Sequence, residues 1–579
     1  MKHMTHIHRL SAATAIALAA LLLPLFAAPQ TASGIPPAQF SDTGFVRVRG
    51  TELADADGSS FFVKGMSFGN MVWDNPPSPP KYHHTKESYA ELKEAGFNSV
   101  RFYINYRLFE DDSRPYKYKE QGFDWLSTNI GWAKEAGIRL IVNMHVPQGG
   151  FQSNGGGKKL YTDRELQKRL ISLWKAIAGR YSQCSTVIGW GIINEPFVPF
   201  KDDVKTSAAQ YHELAQEIVR EIRQADKNHV LFVERLLAIS DEKGRYMPFG
   251  PEDYFPAIDD SNTVYEMHSY EPMMYTHQKA GWIHGAETYD TRYPDENLVF
   301  SSRETWLRES TVQFRNSCGF PKKWTQVSYE FSADGTDGAN LLRVSIKPSM
   351  LSKRGTLFID DISVVKTDSS GTQTTLKEYS FDTEEPWYFG SNPGRPSGRY
   401  WHESGTGHRR NGCLAVQGTQ DWAYLSSADN ILLQEGCTYR LTMWIKFQGV
   451  PRESAAAFGF DLYSADAFPF TKDGLALIIR EQLDGIQNRG KPVYIGEFGC
   501  IRSCFEKDRS GIFRGGTDFV TDCIELYRQS PAVCGFNYHT YHEYSFGLHY
   551  SDPARSLPDE KDMNRELEAA FREILPSIR

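Results

Sequence analysis

At 579 residues the chain is too long for one simple core: at roughly 150 residues per domain it would hold two to four, although an α/β barrel spends about 250 on one. Its charge is mildly acidic, 64 Lys+Arg against 72 Asp+Glu, and no basic run offers a phosphate track, which argues against a nucleic-acid partner. Aromatic residues make up 13%, enough for a large core or for rings that stack on flat ligand faces, and composition does not separate the two.

Residues 1–33 read as a secretory signal peptide. Lys2 and Arg9 precede the apolar, small-residue-rich SAATAIALAALLLPLFAAP, and cleavage is expected between about Ala27 and Ser33. The run is short for a membrane anchor and Pro24 interrupts it; no other segment is apolar enough to span a bilayer. A secreted protein, extracellular or periplasmic, is expected. Eight cysteines (184, 318, 413, 437, 500, 504, 523 and 534) suit an exported chain. They lack a matching His pattern for metal binding, so disulfides are expected, above all among the last four.

From about residue 40 the pattern becomes regular. GFVRVRGTELADADGSSFFVKGMS predicts an N-terminal hairpin with a DG turn leading into a first strand, FFVKGMS. Strands then alternate with helices: strand 98–104 after helix 88–96, strand 138–145 after helix 123–137, strand 186–195 after helix 163–181, and strand 229–234 after helix 207–226. A sixth strand follows at 263–270, and two more come late, 492–498 and 533–539, among helices 474–490, 517–530 and 564–575. Apolar, β-branched strands flanked by helices call for a parallel sheet, and eight such units predict a (β/α)₈ barrel occupying 40–293 and 465–579.

Between 294 and 464 the pattern changes to short alternating strands between Gly, Asn, Ser and Asp turns: WTQVSYEFSA, LLRVSIKP, TLFIDDISVV, CLAVQG, AYLSS and TYRLTMWIKF. This is the signature of an all-β sandwich, inserted after the sixth strand in a loop that crowns the active face of a barrel.

In a barrel, chemistry collects at the C-terminal ends of strands. Those ends carry Arg101, His145, Asn194 with Glu195, His268 with Tyr270, Glu497, and Tyr538 with His539. Each residue alone reads as an ordinary strand-end turn residue. Two carboxylates facing polar donors on six strand ends, taken together in order, read as a site.

The motifs are similar to those of the family 5 glycoside hydrolases, the cellulase family of clan A. NEP at 194–196 and GEFG at 496–499 resemble that family's acid/base and nucleophile motifs. VRFYI resembles its second strand, NMH at 143–145 its third, and HSYEP with YTHQ at 275–278 its sixth, so the likeness covers about 40–290 and 465–579. The resemblance implies a retaining mechanism on two carboxyl groups about 5–5.5 Å apart. Glu497 would be the ionised nucleophile, held by Arg101 and Tyr270. Glu195 would protonate the leaving oxygen and then activate water. Asn194 would bond the sugar 2-hydroxyl, and His145 and His268 would position the sugar or orient the carboxylates. One departure stands out. The family carries a Trp platform at the end of strand eight, and GFNYHTYHE places His539 there instead. Tyr538, Tyr541 and Trp282 are the candidate replacements.

The insert resembles jelly-roll carbohydrate-binding modules. TLFIDDISVV looks like their last strand and GCTYRLTMWIKF like a middle one, an order that suggests a circularly permuted sandwich. Trp387, Tyr388, Trp401 and Trp422 are candidate glycan-binding rings, with a core role the rival for each, and Asp360 and Asp361 a candidate structural calcium site.

These readings converge on a secreted retaining β-glycoside hydrolase, an endo-β-1,4-glucanase first. A β-mannanase, a β-1,3-glucanase or an exo-acting β-glycosidase is the enzyme alternative, and a non-catalytic carbohydrate-binding protein the alternative of another class. The expected partner is a β-linked polysaccharide or oligosaccharide, with no cofactor required and a monomeric chain.

Overall fold

The structure is a computed structural model that describes residues 42–579 except 154–155, 200–203, 240–254, 284, 336–337, 350, 352–354, 384, 386, 392–397, 410, 418–422, 485, 487–488 and 579. The expected signal peptide and Trp422 lie outside the described residues.

Eight parallel strands close into a barrel: β1 (Val63–Phe68), β2 (Ser99–Asn105), β3 (Arg139–Val146), β4 (Val187–Gly191), β5 (Val230–Glu234), β6 (Thr263–Ser269), β7 (Val493–Phe498) and β8 (Val533–Tyr538), with β8 pairing back onto β1. This is the predicted (β/α)₈ architecture. Long helices lie between most strands: α1 (Lys86–Glu94), α2 (Glu120–Ala136), α3 (Arg164–Tyr181) and α4 (Val204–Ala225) early, α5 (Lys472–Leu483), α6 (Gly516–Gln529) and α7 (Arg565–Ile574) late. Their ends follow local chemistry. Asp163 caps α3 by accepting the Glu165 and Leu166 N–H groups, and Gly137 closes α2 at φ 68°, a conformation costly for any residue with a Cβ.

The core has two parts. One fills the space between strands and helices, where Trp174 of α3 donates its Nε1–H to the Ile192 carbonyl at 2.9 Å. The other plugs the bottom of the barrel with Val63, Ile141, Ile188, Val230, Phe232, Val264 and Tyr494. A plugged base leaves the C-terminal end as the open face.

The N-terminal hairpin forms between Arg47–Arg49 and Glu52–Ala54, turning at Gly50 and Thr51; the expected DG turn at 57–58 is a second, separate turn. The fourth strand stops at Gly191 rather than continuing to 195, so Asn194 and Glu195 sit on the turn beyond it.

Every strand expected between residues 294 and 464 is present, in two six-stranded antiparallel sheets whose facing sides bury Leu342, Val344, Leu357, Ile359, Leu441, Met443, Phe458 and Phe460. TLFIDDISVV lies within Thr356–Thr367, an interior strand flanked by Thr438–Gln448 and Cys413–Gln417. The chain enters on Asp295–Gln313 and leaves on Ala457–Phe470, and these two long strands pair antiparallel from Asp295↔Phe470 to Gln313↔Ala457. The return strand therefore runs to Phe470, beyond residue 464. Phe470 packs edge-on against Tyr275 and Tyr293 at 5.2 and 4.9 Å, which seats this two-stranded neck on the barrel.

The disulfide expectation is corrected. All eight cysteines are free thiols and seven of them are buried. Cys504 is occupied otherwise: its thiol donates to the Tyr275 carbonyl at 3.1 Å and accepts from Gln278 Nε2 at 3.3 Å. Spacing indicates the compartment a cysteine suits, whereas pairing depends on Cα geometry that spacing does not carry. Thiol titration of the guanidinium-unfolded chain without reductant is expected to find all eight cysteines reactive; six or fewer would restore at least one bridge.

Candidate active site

Glu497 stands on β7 with both carboxylate oxygens taken up by donors. Its Oε1 accepts from Arg101 Nη1 at 2.7 Å and from the Tyr103 hydroxyl at 2.6 Å, and its Oε2 accepts from the Tyr270 hydroxyl at 2.9 Å. His268 Nδ1 at 3.5 Å and His539 Nδ1 at 4.0 Å face the same Oε2. Burial works to raise its pKa, but His268, His539, Arg101 and His145 outweigh burial and hold the carboxyl well below the usual range. Glu497 is an ionised, fixed carboxylate.

Arg101 on β2 is fully buried and organises the strand ends around it. Besides Glu497 it reaches Glu266 Oε1 at 2.8 Å and donates to Asn194 Oδ1 at 2.9 Å. Asn143 Nδ2 donates to the same Asn194 oxygen at 3.1 Å, which leaves the amide nitrogen facing His145 Nε2 at 3.5 Å. His145 stacks on Tyr103 at 4.1 Å, and burial holds its pKa well below the usual value.

Glu195 is held differently. Its backbone lies at φ 41°, a left-handed conformation that costs a non-glycine residue about 1–3 kcal/mol. Its N–H donates to Glu234 Oε2 at 2.8 Å and its side-chain Oε1 meets His268 Nδ1 at 2.9 Å. A carboxylate oxygen of Glu195, a ring nitrogen of His268 and a carboxylate oxygen of Glu497 lie within 4.8 Å of one another. The two carboxyl groups thus face each other across the mouth of the barrel. Burial opposes protonation of His268, but Glu234, Glu497, Glu195 and Glu266 raise its pKa well above the ordinary value and make it a cation. Glu234, Glu266 and His268 form a second acidic cluster of similar compactness. A metal ion at either cluster would lie beside the Arg101 guanidinium, which already supplies counter-charge to Glu266 and Glu497.

His539 occupies the position where a Trp was expected. Burial lowers its pKa, its Nδ1 lies 3.2 Å from the Tyr103 hydroxyl, and its Nε2 lies 3.6 Å from Glu543. Burial, and then Glu497, push the Glu543 carboxyl up to about 7. Two of the replacement platforms are corrected. Tyr538 is fully buried outside the barrel, edge-on to Phe498 and Phe571, and Tyr541 is buried with its hydroxyl donating to Glu91. Tyr538 points away from the cleft because inward and outward positions alternate along the strand, whereas Tyr541 lies beyond the strand and packs against Phe68 and His549, each at 5.0 Å. Trp282 is 60% exposed, 6.3 Å from Phe546, which in turn lies 5.5 Å from His539.

Tyr103, Trp73, Glu234, Glu266 and Glu543 were not singled out in the sequence. Trp73, in the short 3₁₀ turn Val72–Asp74 that follows β1, is 38% exposed and meets His145 edge-on at 4.9 Å and His539 at 5.8 Å. A strand signal was available for three of the five. Tyr103 follows Arg101 by two, Glu266 precedes His268 by two, and Glu234 ends an apolar strand in an acid just as GWGIINE does.

In the insert, Trp387 is a core residue, edge-on to Tyr379 at 5.2 Å, which corrects its reading as a glycan-facing ring. Tyr388 alternates outward and is exposed, and Trp401 is half-buried beneath Arg399. Asp360 accepts the Asp361 and His408 N–H groups at 2.8 and 2.6 Å, and Asp361 faces His408 and Arg409.

Comparison with known proteins finds similarity to one family. The model of cellulase (glycosyl hydrolase family 5) matches residues 54–316. Endoglucanase C of Acetivibrio thermocellus is 28% identical over 214 residues, 37% of this chain and 58% of that protein. A beta-xylosidase of Phanerodontia chrysosporium is 25% identical over 261 residues, 39% of this chain and 52% of that protein. The structure of Thermotoga maritima Cel5A in complex with cellobiose, 16% identical, covers 88% of this chain and 97% of its own, with a TM-score of 0.44. Residues 54–316 are thus similar to glycosyl hydrolase family 5. The chain spans just over half the length of these curated relatives.

The charge state of Glu497 sets a pH test. Its folded pKa is depressed, so its contribution to stability is complete above its unfolded value and is lost as pH falls through the folded one. The melting-temperature advantage of wild type over Glu497→Gln is expected to shrink steadily from about pH 5 to about pH 3. An advantage that grows on acidification would contradict an ionised Glu497.

Proposed function

We propose that this chain is a retaining β-glycoside hydrolase that works by double displacement, with Glu497 as nucleophile and Glu195 as acid/base. The facing of these two carboxyl groups, one fixed as an anion and one on a turn, carries the reading. Retaining enzymes place the pair about 5–5.5 Å apart, close enough for a carboxylate to attack the anomeric carbon without an intervening water.

Arg101, Tyr103 and Tyr270 aim the Glu497 carboxylate and keep it unprotonated. It attacks the anomeric carbon while Glu195 gives its proton to the departing oxygen, and the bond to that oxygen breaks as the bond to Glu497 forms. Glu195 then removes a proton from water, which attacks the same carbon and releases Glu497. Asn194, its oxygen fixed by Arg101 and Asn143, presents its amide N–H to the sugar 2-hydroxyl. No step calls for a metal or organic cofactor.

The substrate proposed first is a β-1,4-glucan, cleaved internally by a secreted, monomeric enzyme, with Tyr388 and Trp401 of the insert as glycan-contacting rings. The endoglucanase relatives support that choice. His539 in the platform position favours a second reading, another β-linked polymer or an exo-acting enzyme, because a polar ring rewards hydrogen bonding over stacking.

Glu497→Gln is expected to lower hydrolysis by at least about 1,000-fold while leaving oligosaccharide binding intact, and wild type to release the β anomer first by proton NMR. An active Glu497→Gln enzyme or first release of the α anomer would overturn the mechanism. Product sizing on β-glucans and mannans separates the two substrate readings.

A further inference from the structure

Glu234 ends β5, is buried, and takes no direct part in the chemistry proposed above. Its two oxygens nevertheless close a ring around the acid/base residue. Its Oε2 accepts the backbone N–H of Glu195 at 2.8 Å, its Oε1 lies 3.4 Å from His268 Nε2, and His268 Nδ1 returns to Glu195 Oε1 at 2.9 Å. We infer that Glu234 is the positioning residue of the acid/base carboxyl: it fixes the Glu195 backbone directly and fixes the Glu195 side chain through His268.

Two observations require such a residue. First, Glu195 sits at φ 41° on a turn outside β4, so the ladder that fixes Glu497 is missing here, and only a specific partner keeps a non-glycine residue in that conformation. Second, His268 has donors at both ring nitrogens only as a cation, and a buried imidazolium needs a counter-charge at each end. Glu195 and Glu497 face Nδ1; Glu234 faces Nε2 at 3.4 Å, beside Arg101 Nη2 at 3.5 Å and Glu266 at 3.9 Å. The charged and titratable groups facing Glu234 are Glu195 from the β4 turn, His268 and Glu266 from β6, Arg101 from β2, Tyr211 from α4, and Tyr161; burial, Glu266 and Glu195 push its carboxyl well above the usual range, and His268 and Arg101 draw it back. Its own backbone carbonyl accepts from Tyr211 of α4, which fixes the strand end from behind.

The inference rests on the hydrolase reading for its kinetic consequence and on geometry alone for its effect on His268. Glu234→Gln keeps a carbonyl oxygen for the Glu195 N–H and removes the ionisable carboxyl opposite His268. Glu234→Ala removes both. On cellohexaose, whose leaving oxygen needs a proton, Glu234→Gln is expected to reduce kcat about 10- to 100-fold, part of the usual contribution of a general acid, with KM nearly unchanged. Cleavage of 2,4-dinitrophenyl β-cellobioside, whose leaving group departs unaided, is followed as the pre-steady-state burst and is expected to change less than about threefold. Equal losses on both substrates would make Glu234 merely structural and overturn the inference.

The second measurement does not depend on turnover. In the full chain with ¹³C-labelled histidine, the His268 signal is identified by its loss in His268→Asn. In wild type it is expected to remain cationic through neutral pH, and in Glu234→Gln to titrate at lower pH. A His268 titration unmoved by Glu234→Gln overturns the inference. If wild type cleaves neither substrate, the hydrolase reading fails, and the histidine measurement still decides the role of Glu234.

Discussion

A guanidinium buried in the mouth of the barrel is the constraint on which the rest of the site depends. Arg101 has no access to water, and its charge is met by Glu266 and Glu497 within 2.8 Å. Removing one partner of such a group strands a buried charge at a cost of several kcal/mol, so the acids and the arginine are mutually required. The requirement reaches across the barrel: Arg101 is on β2, Glu266 on β6 and Glu497 on β7, and the Asn194 amide beyond β4 takes another of its protons. Closure of the sheet makes these residues neighbours, and their neighbourhood fixes the charge of Glu497.

The two facing carboxyl groups are anchored in opposite ways. Glu497 belongs to a strand and its oxygens are saturated by three short hydrogen bonds from tyrosines and an arginine. Glu195 belongs to a turn, carries one ring nitrogen on its side chain and leaves part of its surface open. A nucleophile needs a fixed direction and a permanent charge, whereas a group that gives and takes a proton needs access to the departing oxygen and then to water. The difference follows from where each strand ends: β4 stops at Gly191, four residues short of its acid, and β7 continues past its own.

The architecture was legible because a barrel strand buried on both sides writes an apolar run between helical periods, and eight such runs leave few folds to choose from. Arg101, Asn194, Glu195, His268 and Glu497 were legible for a related reason, since a polar residue ending an apolar strand is conspicuous. Glu266 and Tyr103 were hidden inside runs where a single inward residue looks like any other, and Trp73 and Glu543 lie on loops whose paths no periodicity describes. Tyr538 failed as a platform because it sits one residue out of phase with the cleft, and a strand turns every second side chain away. Trp387 failed for the same reason, one position from the exposed Tyr388.

The neck of the insert has a consequence for how such a chain arises and how it transmits force. Asp295 and Phe470 are paired partners, so the 174 residues between them leave the barrel and come back at a single point. To the barrel, the whole sandwich is equivalent to one hairpin turn. Its acquisition or loss leaves the eight-strand closure untouched, which makes it an exchangeable cassette. A hydrogen-bonded ribbon of two strands also resists bending far better than a single-chain linker. Whatever the sandwich holds is therefore carried at a set angle to the barrel mouth, as a tool on a stiff handle rather than on a tether.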